Sequence, residues 1–301
     1  MSELSFFRLV FVAAVCMGTM ARALAADVAP SLSDALFAMD TCTKLVYPRS
    51  DIPPAAQLDL LQELRYAGIA WTLDSPSETQ AVASLAEQHC MKMCALYCPL
   101  TLRKDRLEWS AALPDVLKAL KGHDTLIWLP ISSQDYQVSS PEGDTAAVAG
   151  LQQLADLAAA QGLQIAIYPH VGMWTERVQD ALRVVEKANR PNLGVTFNLC
   201  HCLSVGDENR IPALLKEAAP HLFMVTVNGA DTGAAHAGWN RLIRPLDSGT
   251  LDLLPILKAL ADIQYKRPIV LQGFGIRGDR KENLSRSMKA WREYLDRLRK
   301  G

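Results

Sequence analysis

Residues 163–201 read LQIAIYPHVGMWTERVQDALRVVEKANRPNLGVTFNLCH, which is two short apolar runs separated by an amphipathic segment of helical length. The runs at 163–170 and 193–201 have the length and apolar content of buried strands. Strands that alternate with helices pair in parallel, because each helix carries the chain back to the start of the next strand. This stretch therefore predicts a βαβ unit in a parallel sheet.

The same unit recurs along the chain. Further strand-like runs are at 35–43, 68–74, 91–99, 124–132, 221–231 and 267–275, and helical segments are at about 55–67, 77–89, 110–121, 145–161, 175–188, 208–218, 250–263 and 279–298. Eight strand–helix pairs in about 250 residues is the number that a (β/α)8 barrel needs. The alternative is a doubly wound open sheet, which is disfavoured because no G-x-G-x-x-G turn follows an early strand. The predicted fold class is α/β, a single (β/α)8 TIM barrel.

The N-terminus has the features of an export signal. After Arg8, a short apolar run leads to Ala23-Leu24-Ala25, which fits an A-x-A signal-peptidase site. We predict that residues 1–25 are a cleaved signal peptide and that residues 26–301 form the barrel, so the mature protein is exported, to the periplasm or the medium. The alternative is an uncleaved membrane anchor. No later run reaches 18 uninterrupted apolar residues, so no other membrane span is expected.

Net charge limits the classes of binding partner, and the cysteines bear on whether disulfides form. The formal net charge of −1 gives no electrostatic footprint for nucleic acid, and no membrane association is expected once the signal is removed. Oligomeric state is not predicted. Export permits disulfides, but a chain with a large core has little need of them. We therefore expect buried free thiols and leave one disulfide open among the remaining cysteines, which are Cys42, Cys90, Cys94, Cys98, Cys200 and Cys202.

Polar residues collect where the predicted strands end, which is where barrel enzymes have their active sites. The later strands end in polar groups although they are otherwise apolar: Tyr168 and His170, Asn198 and His201, Asn228 and Asp231, and Gln272. Buried amides and imidazoles need hydrogen-bond partners. At a barrel mouth, a bound ligand can supply them.

Four runs carry a family resemblance. IAIYPHVGMWTERVQDAL, NLGVTFNLCH, HLFMVTVNGAD and IVLQGFG resemble, in this order, the xylose isomerase-like TIM barrels. That group contains sugar phosphate isomerases and epimerases, ketose 3-epimerases and endonuclease IV. The resemblance is best over residues 160–275. It implies an isomerase- or epimerase-like enzyme that moves a proton alpha to the carbonyl group of a small-molecule carbohydrate.

The chain departs from this family where the metal should bind. The epimerase branch holds one divalent metal through Glu, Asp, His and Glu at the ends of strands five to eight, and the two glutamates are its acid/base pair. The matching positions here are Tyr168, Asn198, Asn228 and Gln272. Amide oxygens alone bind hard cations weakly, so the family's metal is not favoured and the cofactor is left unknown. The family's Asp-x-x-His is similar to Asn198-x-x-His201 here. That histidine contacts substrate in the epimerases, so the resemblance implies that His201 is the retained member.

His170 and His201 are the candidate catalytic acid and base, because imidazole titrates near neutral pH. They are also the only candidate metal ligands, and a carboxylate such as Asp231, itself a catalytic candidate, could join them around zinc or iron. The alternative is two hydrogen-bonded structural histidines. Cys200 and Cys202 flank His201, but adjacent residues of a strand point to opposite faces, so the three cannot share one ion.

Substrate contacts are expected from two further sets of residues. Trp174 and Trp239 fall in predicted loops at the rim, where an aromatic face can pack on a sugar ring; ordinary lid packing is the alternative. The amides of Asn198, Asn228 and Gln272, together with Tyr168, are expected to hold sugar hydroxyls or the developing enediolate. Export favours an unphosphorylated sugar.

Two other functions remain open from the sequence. One is a lyase or hydrolase that acts on oxidised (keto) glycosides, which shares the first proton abstraction and differs in its product. The other is a non-catalytic sugar-binding protein on a degenerate enzyme scaffold, which the replaced metal positions favour.

Overall fold

The protein is described by a computed structural model that covers residues 32–44, 52–73 and 75–300. The predicted signal peptide lies outside these residues, as does residue 74 at the end of the second predicted strand. Among the described residues, no helix is both long and apolar enough to cross a membrane.

Eight parallel strands close into a barrel. They are β1 (Leu36–Met39), β2 (Gly68–Thr72), β3 (Lys92–Tyr97), β4 (Leu126–Leu129), β5 (Ile165–Ile167), β6 (Leu193–Asn198), β7 (Leu222–Val227) and β8 (Ile269–Leu271). Each strand pairs with its neighbours in chain order, and β8 pairs back onto β1 with Leu36 opposite Ile269. The predicted (β/α)8 barrel is confirmed, and the open-sheet alternative is wrong. A G-x-G-x-x-G spacing does occur at residues 273–278, but it follows the last strand.

Helices surround the barrel, and most of them cover its outside. They are α1 (Pro54–Glu63), α2 (Pro76–Gln88), α3 (Leu113–Ala119), α4 (Asp144–Ala159), α5 (Val178–Ala188), α6 (Leu199–Ser204), α7 (Ile211–Ala218), α8 (Trp239–Leu242), α9 (Leu254–Asp262) and α10 (Arg280–Lys300). Eight of them match the predicted segments. The short helices α6 and α8 are additional, and both lie at the carboxyl ends of the strands.

Helix α5 shows how local sequence sets these elements. The carboxylate of Asp180 accepts hydrogen bonds from the backbone N–H groups of Glu176 (3.2 Å) and Arg177 (2.9 Å), which satisfies donors that have no partner inside the helix. The helix ends at Asn189, which has φ 48°, a left-handed conformation that asparagine tolerates better than most residues. These two signals place α5 directly after the loop that carries His170.

The strands have two apolar faces, because alternate side chains point to opposite sides. One set, which includes Phe37, Trp128 and Tyr168, fills the barrel interior. The other set, which includes Ile127 and Ile167, packs against the helices. Parallel strands covered in this way are apolar along their whole length, which is why they stood out in the sequence.

The run at residues 193–201 was predicted as strand, and this is wrong beyond Asn198. The last pair that β6 forms with β7 joins Asn198 to Thr226, and the chain then turns into α6. A short apolar run does not distinguish a strand end from a buried helix. On a helix, successive residues point about 100° apart, so Cys200, His201 and Cys202 still do not converge on one ion. All described cysteines are free thiols, and only Cys90 is exposed.

Candidate active site at the carboxyl ends of the strands

A cavity of ≈ 210 Å³ opens at the carboxyl ends of the barrel strands. Its walls are largely aromatic and its polar groups are few: Tyr97, Tyr168, Trp239 and Phe274 with His170, His201, Thr41, Thr72 and Gln272. No carboxylate, lysine or arginine is among the described residues that line it. The cavity is therefore suited to an uncharged ligand about as large as one sugar ring.

A larger cavity, of ≈ 620 Å³, lies at the opposite, amino ends of the strands. Its rim carries Lys92 and Asp124, which pair with each other at 2.8 Å while both side chains remain mostly exposed to solvent. Barrel enzymes place their chemistry at the carboxyl ends, where the variable loops are. We therefore assign the candidate site to the smaller cavity.

The two predicted histidines meet in the smaller cavity. His170 follows β5 and His201 lies on α6 directly after β6, and these two strands are neighbours in the barrel. The ring centroids are 4.0 Å apart with an angle of 40° between the planes. The structure thus brings together two imidazoles that are 31 residues apart in the sequence, as their positions at adjacent strand ends predicted.

Hydrogen bonding indicates which nitrogen of each ring carries the proton. Nδ1 of His170 lies 2.8 Å from the carbonyl oxygen of Val171. A carbonyl only accepts, so Nδ1 is the donor and Nε2 keeps the lone pair. Nδ1 of His201 is buried and has no partner among the described residues. Because a buried N–H without an acceptor is rarer than an unfilled lone pair, the proton of His201 belongs on Nε2. The two rings are then complementary tautomers.

Burial keeps both imidazoles neutral. It lowers the pKa of His170 below its usual 6.5, partly opposed by the hydrogen bond to Val171. It lowers the pKa of His201 further, and the adjacent His170 ring adds to this shift by disfavouring a second positive charge. At neutral pH the pair therefore offers one basic nitrogen, on His170, and one N–H donor, on His201.

Because His201 is buried in its neutral form, the free energy of unfolding should depend on pH. In the unfolded chain His201 takes up a proton as the pH falls below about 6.5, whereas in the folded protein it does so only at much lower pH. The free energy of unfolding should therefore fall by about 1.4 kcal/mol per pH unit below pH 6.5 for this group, and not change above it.

Urea unfolding of the wild type and of His201→Asn at pH 7.5 and 5.5 measures this effect. The variant should lose less stability between the two pH values. His89, whose pKa is raised by its bonds to the Leu85 carbonyl and to Asp59, titrates equally in both proteins and cancels. Equal losses in wild type and variant would show that His201 is not buried in its neutral form.

A chain of ring contacts holds His201 in place. Trp128 packs on Tyr168 at 5.2 Å between centroids, and the Tyr168 ring meets the His201 ring edge-on at 5.8 Å. On the other side, the Trp239 ring meets the His201 ring edge-on, with 5.6 Å between centroids. Trp239 in turn meets the Phe274 ring edge-on at 6.4 Å. Edge-to-face contacts in this range are favourable. The orientation of the catalytic candidate thus depends on the barrel interior below it and on α8 above it.

The four positions of the family's metal ligands do not fit a metal. Asn198 directs its NH2 group to the Pro169 carbonyl at 2.9 Å, and Asn228 directs its NH2 group to the carbonyls of Gly229 and Leu242. The side-chain oxygen of Gln272 already accepts three hydrogen bonds. Tyr168, the fourth position, is buried and has no carboxylate. Within the described chain, no group of three or more His, Cys, Asp or Glu side chains could hold a metal ion.

Several predicted substrate contacts lie elsewhere. Asn198 and Asn228 are buried behind the cavity wall and do not line the cavity. Trp174 was predicted at the rim, and this is wrong. It lies in the core, where its ring N–H donates to the Ser140 carbonyl at 2.9 Å. Asp231 lies outside the cavity, paired with Arg241 at 3.1 Å and with Arg244 at 3.0 Å. Tyr168, Trp239 and Gln272 do line the cavity with the two histidines.

Thr41, Thr72 and Phe274 also line the cavity and were not predicted from the sequence. Thr72 is the last residue of β2, and Thr41 follows β1 in a 3₁₀ turn, so both are at strand ends. Phe274 comes two residues after Gln272 and is one of the few large apolar side chains that are exposed, at 37%. An aromatic residue directly after a predicted strand end is the sequence signal that could have identified it.

The closed parallel barrel, with its polar groups gathered at the carboxyl ends of the strands, places the chain among the (β/α)8 barrels. The sequence model of the xylose isomerase-like TIM barrel matches residues 58–294, and the chain belongs to this family. The family resemblance predicted from the sequence is therefore confirmed. Curated proteins show no significant match to the chain.

Solved structures of the same fold include several sugar epimerases. D-allulose 3-epimerase from Methylomonas sp. has a TM-score of 0.66 and 15% identity, over 86% of this chain and 97% of that chain. L-ribulose 3-epimerase has a TM-score of 0.67 and 13% identity, over 88% and 95%. The apo form of 3-keto-D-glucoside 4-epimerase from E. coli has a TM-score of 0.62 and 14% identity, over 89% and 100%. At these identities the likeness establishes the fold.

Proposed function

We propose that the protein is an isomerase- or epimerase-like enzyme that moves a proton next to the carbonyl group of an uncharged carbohydrate without the family's divalent metal. The observation that carries this proposal is the pair of neutral imidazoles, 4.0 Å apart, at the barrel mouth. His170 is the base, and His201 is the hydrogen-bond donor to the carbonyl oxygen.

The proton movements follow from the two tautomers. Nε2 of His170 removes the proton from the carbon beside the carbonyl. The electron pair of that C–H bond forms a C=C bond to the carbonyl carbon, and the π pair of the C=O bond moves onto the oxygen, which gives an enediolate. The N–H of His201 stabilises the charge on that oxygen. The proton then returns from His170 to carbon as the C=C bond is lost and a C=O bond re-forms. Return to the same carbon, after the enediolate has turned its other face toward His170, gives an epimer. Return to the former carbonyl carbon gives an isomer, and in that case the hydroxyl proton on the neighbouring oxygen moves to the former carbonyl oxygen. The lowered pKa of His170 favours this return.

The cavity supports the choice of substrate class. Its aromatic walls suit the C–H faces of a sugar ring, and its volume of ≈ 210 Å³ limits the reacting part to about one ring. The described lining residues include no cation that could pair with a phosphate. The solved relatives of the same fold are named for D-allulose, L-ribulose and a 3-keto-D-glucoside. An uncharged sugar also agrees with the export that we propose from residues 1–25.

Deuterium exchange tests this function directly. The mature protein, residues 26–301, is incubated in D2O with D-allulose, D-fructose, L-ribulose and a 3-keto-glucoside, and the C–H signal beside the carbonyl is followed by NMR. We expect that signal to disappear for at least one sugar, with an epimer or isomer formed. His236→Asn is the matched control, because His236 is exposed outside the cavity and has φ 58°, which asparagine tolerates.

The same spectra distinguish the competing functions. An unsaturated product would identify a lyase that shares the first step. A sugar that raises the melting temperature of the protein but neither exchanges nor converts would identify a non-catalytic binding protein, and would contradict the proposed proton transfer.

A further inference from the structure

We infer that Asn198, Asn228 and Gln272 are positioning residues, and that their amides hold the wall of the cavity at the places where the family binds its metal. Each amide fastens backbone that is adjacent to a cavity-lining side chain. This role concerns the shape of the site and does not depend on which substrate it accepts.

Asn198 holds the segment that carries the base. It is the last residue of β6 and is 2% exposed. Its Nδ2 donates to the carbonyl of Pro169 at 2.9 Å, directly before His170, and its Oδ1 accepts from the Thr226 hydroxyl at 3.3 Å. Both ends of the amide are therefore used within the protein. The hydrogen bond joins β6 to the chain after β5 where the two imidazoles meet.

Asn228 holds the helix that closes the cavity. Its Nδ2 donates to the carbonyl of Gly229 at 2.9 Å and to the carbonyl of Leu242 at 2.7 Å. Leu242 is the last residue of α8, whose first residue is Trp239. Asn228 is fully buried, so this bond ties the edge-on neighbour of His201 to the end of β7.

Gln272 acts through its side-chain oxygen as an acceptor, whereas the two asparagines act through their NH2 groups as donors. Its Oε1 accepts from the hydroxyl of Thr41 at 2.7 Å and from the backbone N–H groups of Gly273 and Phe274, both at 2.9 Å. Thr41 and Phe274 both line the cavity. One oxygen therefore fixes the loop after β8 and the turn after β1 together.

The different polarities predict opposite outcomes for substitutions of the same kind. Asn198→Asp and Asn228→Asp replace an NH2 donor by a carboxylate that faces carbonyl oxygens less than 3 Å away, which is repulsive. Gln272→Glu keeps an oxygen in front of its three donors and strengthens the hydrogen bonds by charge. Gln272→Met has a similar length and removes the acceptor. If these positions could still bind a metal ion, each added carboxylate would instead raise the affinity for that ion.

The experiment measures the positions of the rings without any sugar. In protein with labelled histidine and tryptophan, nuclear Overhauser contacts are recorded between the rings of His170 and His201 and between those of His201 and Trp239. Mn²⁺ affinity is measured by titration. Wild type and Gln272→Glu should show both contacts. Asn198→Asp should lose the first and Asn228→Asp the second, and no variant should gain more than twofold in Mn²⁺ affinity.

Asn192→Asp is the matched control. Asn192 donates its NH2 group to the carbonyls of Ala155 and Leu163, at 2.8 and 3.2 Å, far from the histidines. This control should lose stability and keep both ring contacts. If either aspartate variant fails to fold, Asn198→Ala or Asn228→Ala removes the donor without adding a charge and should lose the same contact.

Two results would overturn the inference. Ring contacts as in wild type in the folded Asn198 and Asn228 variants would mean that the amides do not position the wall. A tenfold or larger gain in Mn²⁺ affinity in a carboxylate variant would mean that the positions remain a metal site. Neither result bears on sugar exchange, which tests the proposed function separately.

Discussion

Replacing His170 or His201 by alanine is expected to lower the rate of proton exchange into the substrate by about 10²–10⁴-fold, the range that a positioned general acid or base contributes. His170→Ala removes the nitrogen that takes the proton, and His201→Ala removes the donor to the carbonyl oxygen. Because the rings act on the same transition state, the double variant should be little slower than either single variant.

The folded state should survive these changes. The His201 ring borders a cavity, and its buried Nδ1 has no hydrogen-bond partner to lose among the described residues. Circular dichroism and urea unfolding at pH 7.5 check this, with His236→Asn as the control that keeps wild-type exchange. If either alanine variant kept more than about a tenth of the wild-type exchange rate, that histidine would have no catalytic role.

Replacing Trp128 by alanine is expected to lower the free energy of unfolding by about 3–5 kcal/mol, the usual range for deleting a large buried aromatic side chain. Trp128 is fully buried in the barrel interior, and its ring supports Tyr168, which in turn meets His201. The strands around it are closed into a barrel and cannot collapse onto the space. The same change should therefore weaken ligand binding by freeing the His201 ring.

Trp128→Phe is the matched variant for this prediction. The ring nitrogen of Trp128 has no hydrogen-bond partner within the described chain, so phenylalanine loses apolar contact area and no hydrogen bond. It should cost less than half as much stability as alanine. Urea unfolding at pH 7.5 measures both values. A loss below about 1 kcal/mol for Trp128→Ala would show that the barrel interior repacks.

Much of the fold was predictable because parallel strands covered by helices are apolar throughout, and their alternation with amphipathic segments is visible in the sequence. The boundaries were less predictable. Pro130 has no N–H and interrupts the predicted run at 124–132, which splits into β4 and a short strand at Ile131–Ser133. The run at 193–201 stays largely apolar beyond Asn198, where β6 ends. Its helical end therefore could not be recognised from composition.

The site was predictable only where chain order determines proximity. His170 and His201 follow adjacent strands, so their meeting could be expected. The directions of Asn198 and Asn228 could not be, because they depend on carbonyl groups in other segments: Pro169 and Leu242. Trp174 was misplaced for a similar reason, since its partner, the Ser140 carbonyl, belongs to a distant loop that covers it.

The most direct test of the account is a long-range ¹H–¹⁵N spectrum of the histidine side chains at pH 7, recorded on residues 26–301 without ligand. We predict that both rings are neutral and are opposite tautomers, with the proton of His170 on Nδ1 and the proton of His201 on Nε2. His170→Ala and His201→Ala assign the signals. Two rings with the same tautomer, or a protonated imidazolium at either position, would contradict the division into base and donor on which the proposed proton transfer rests.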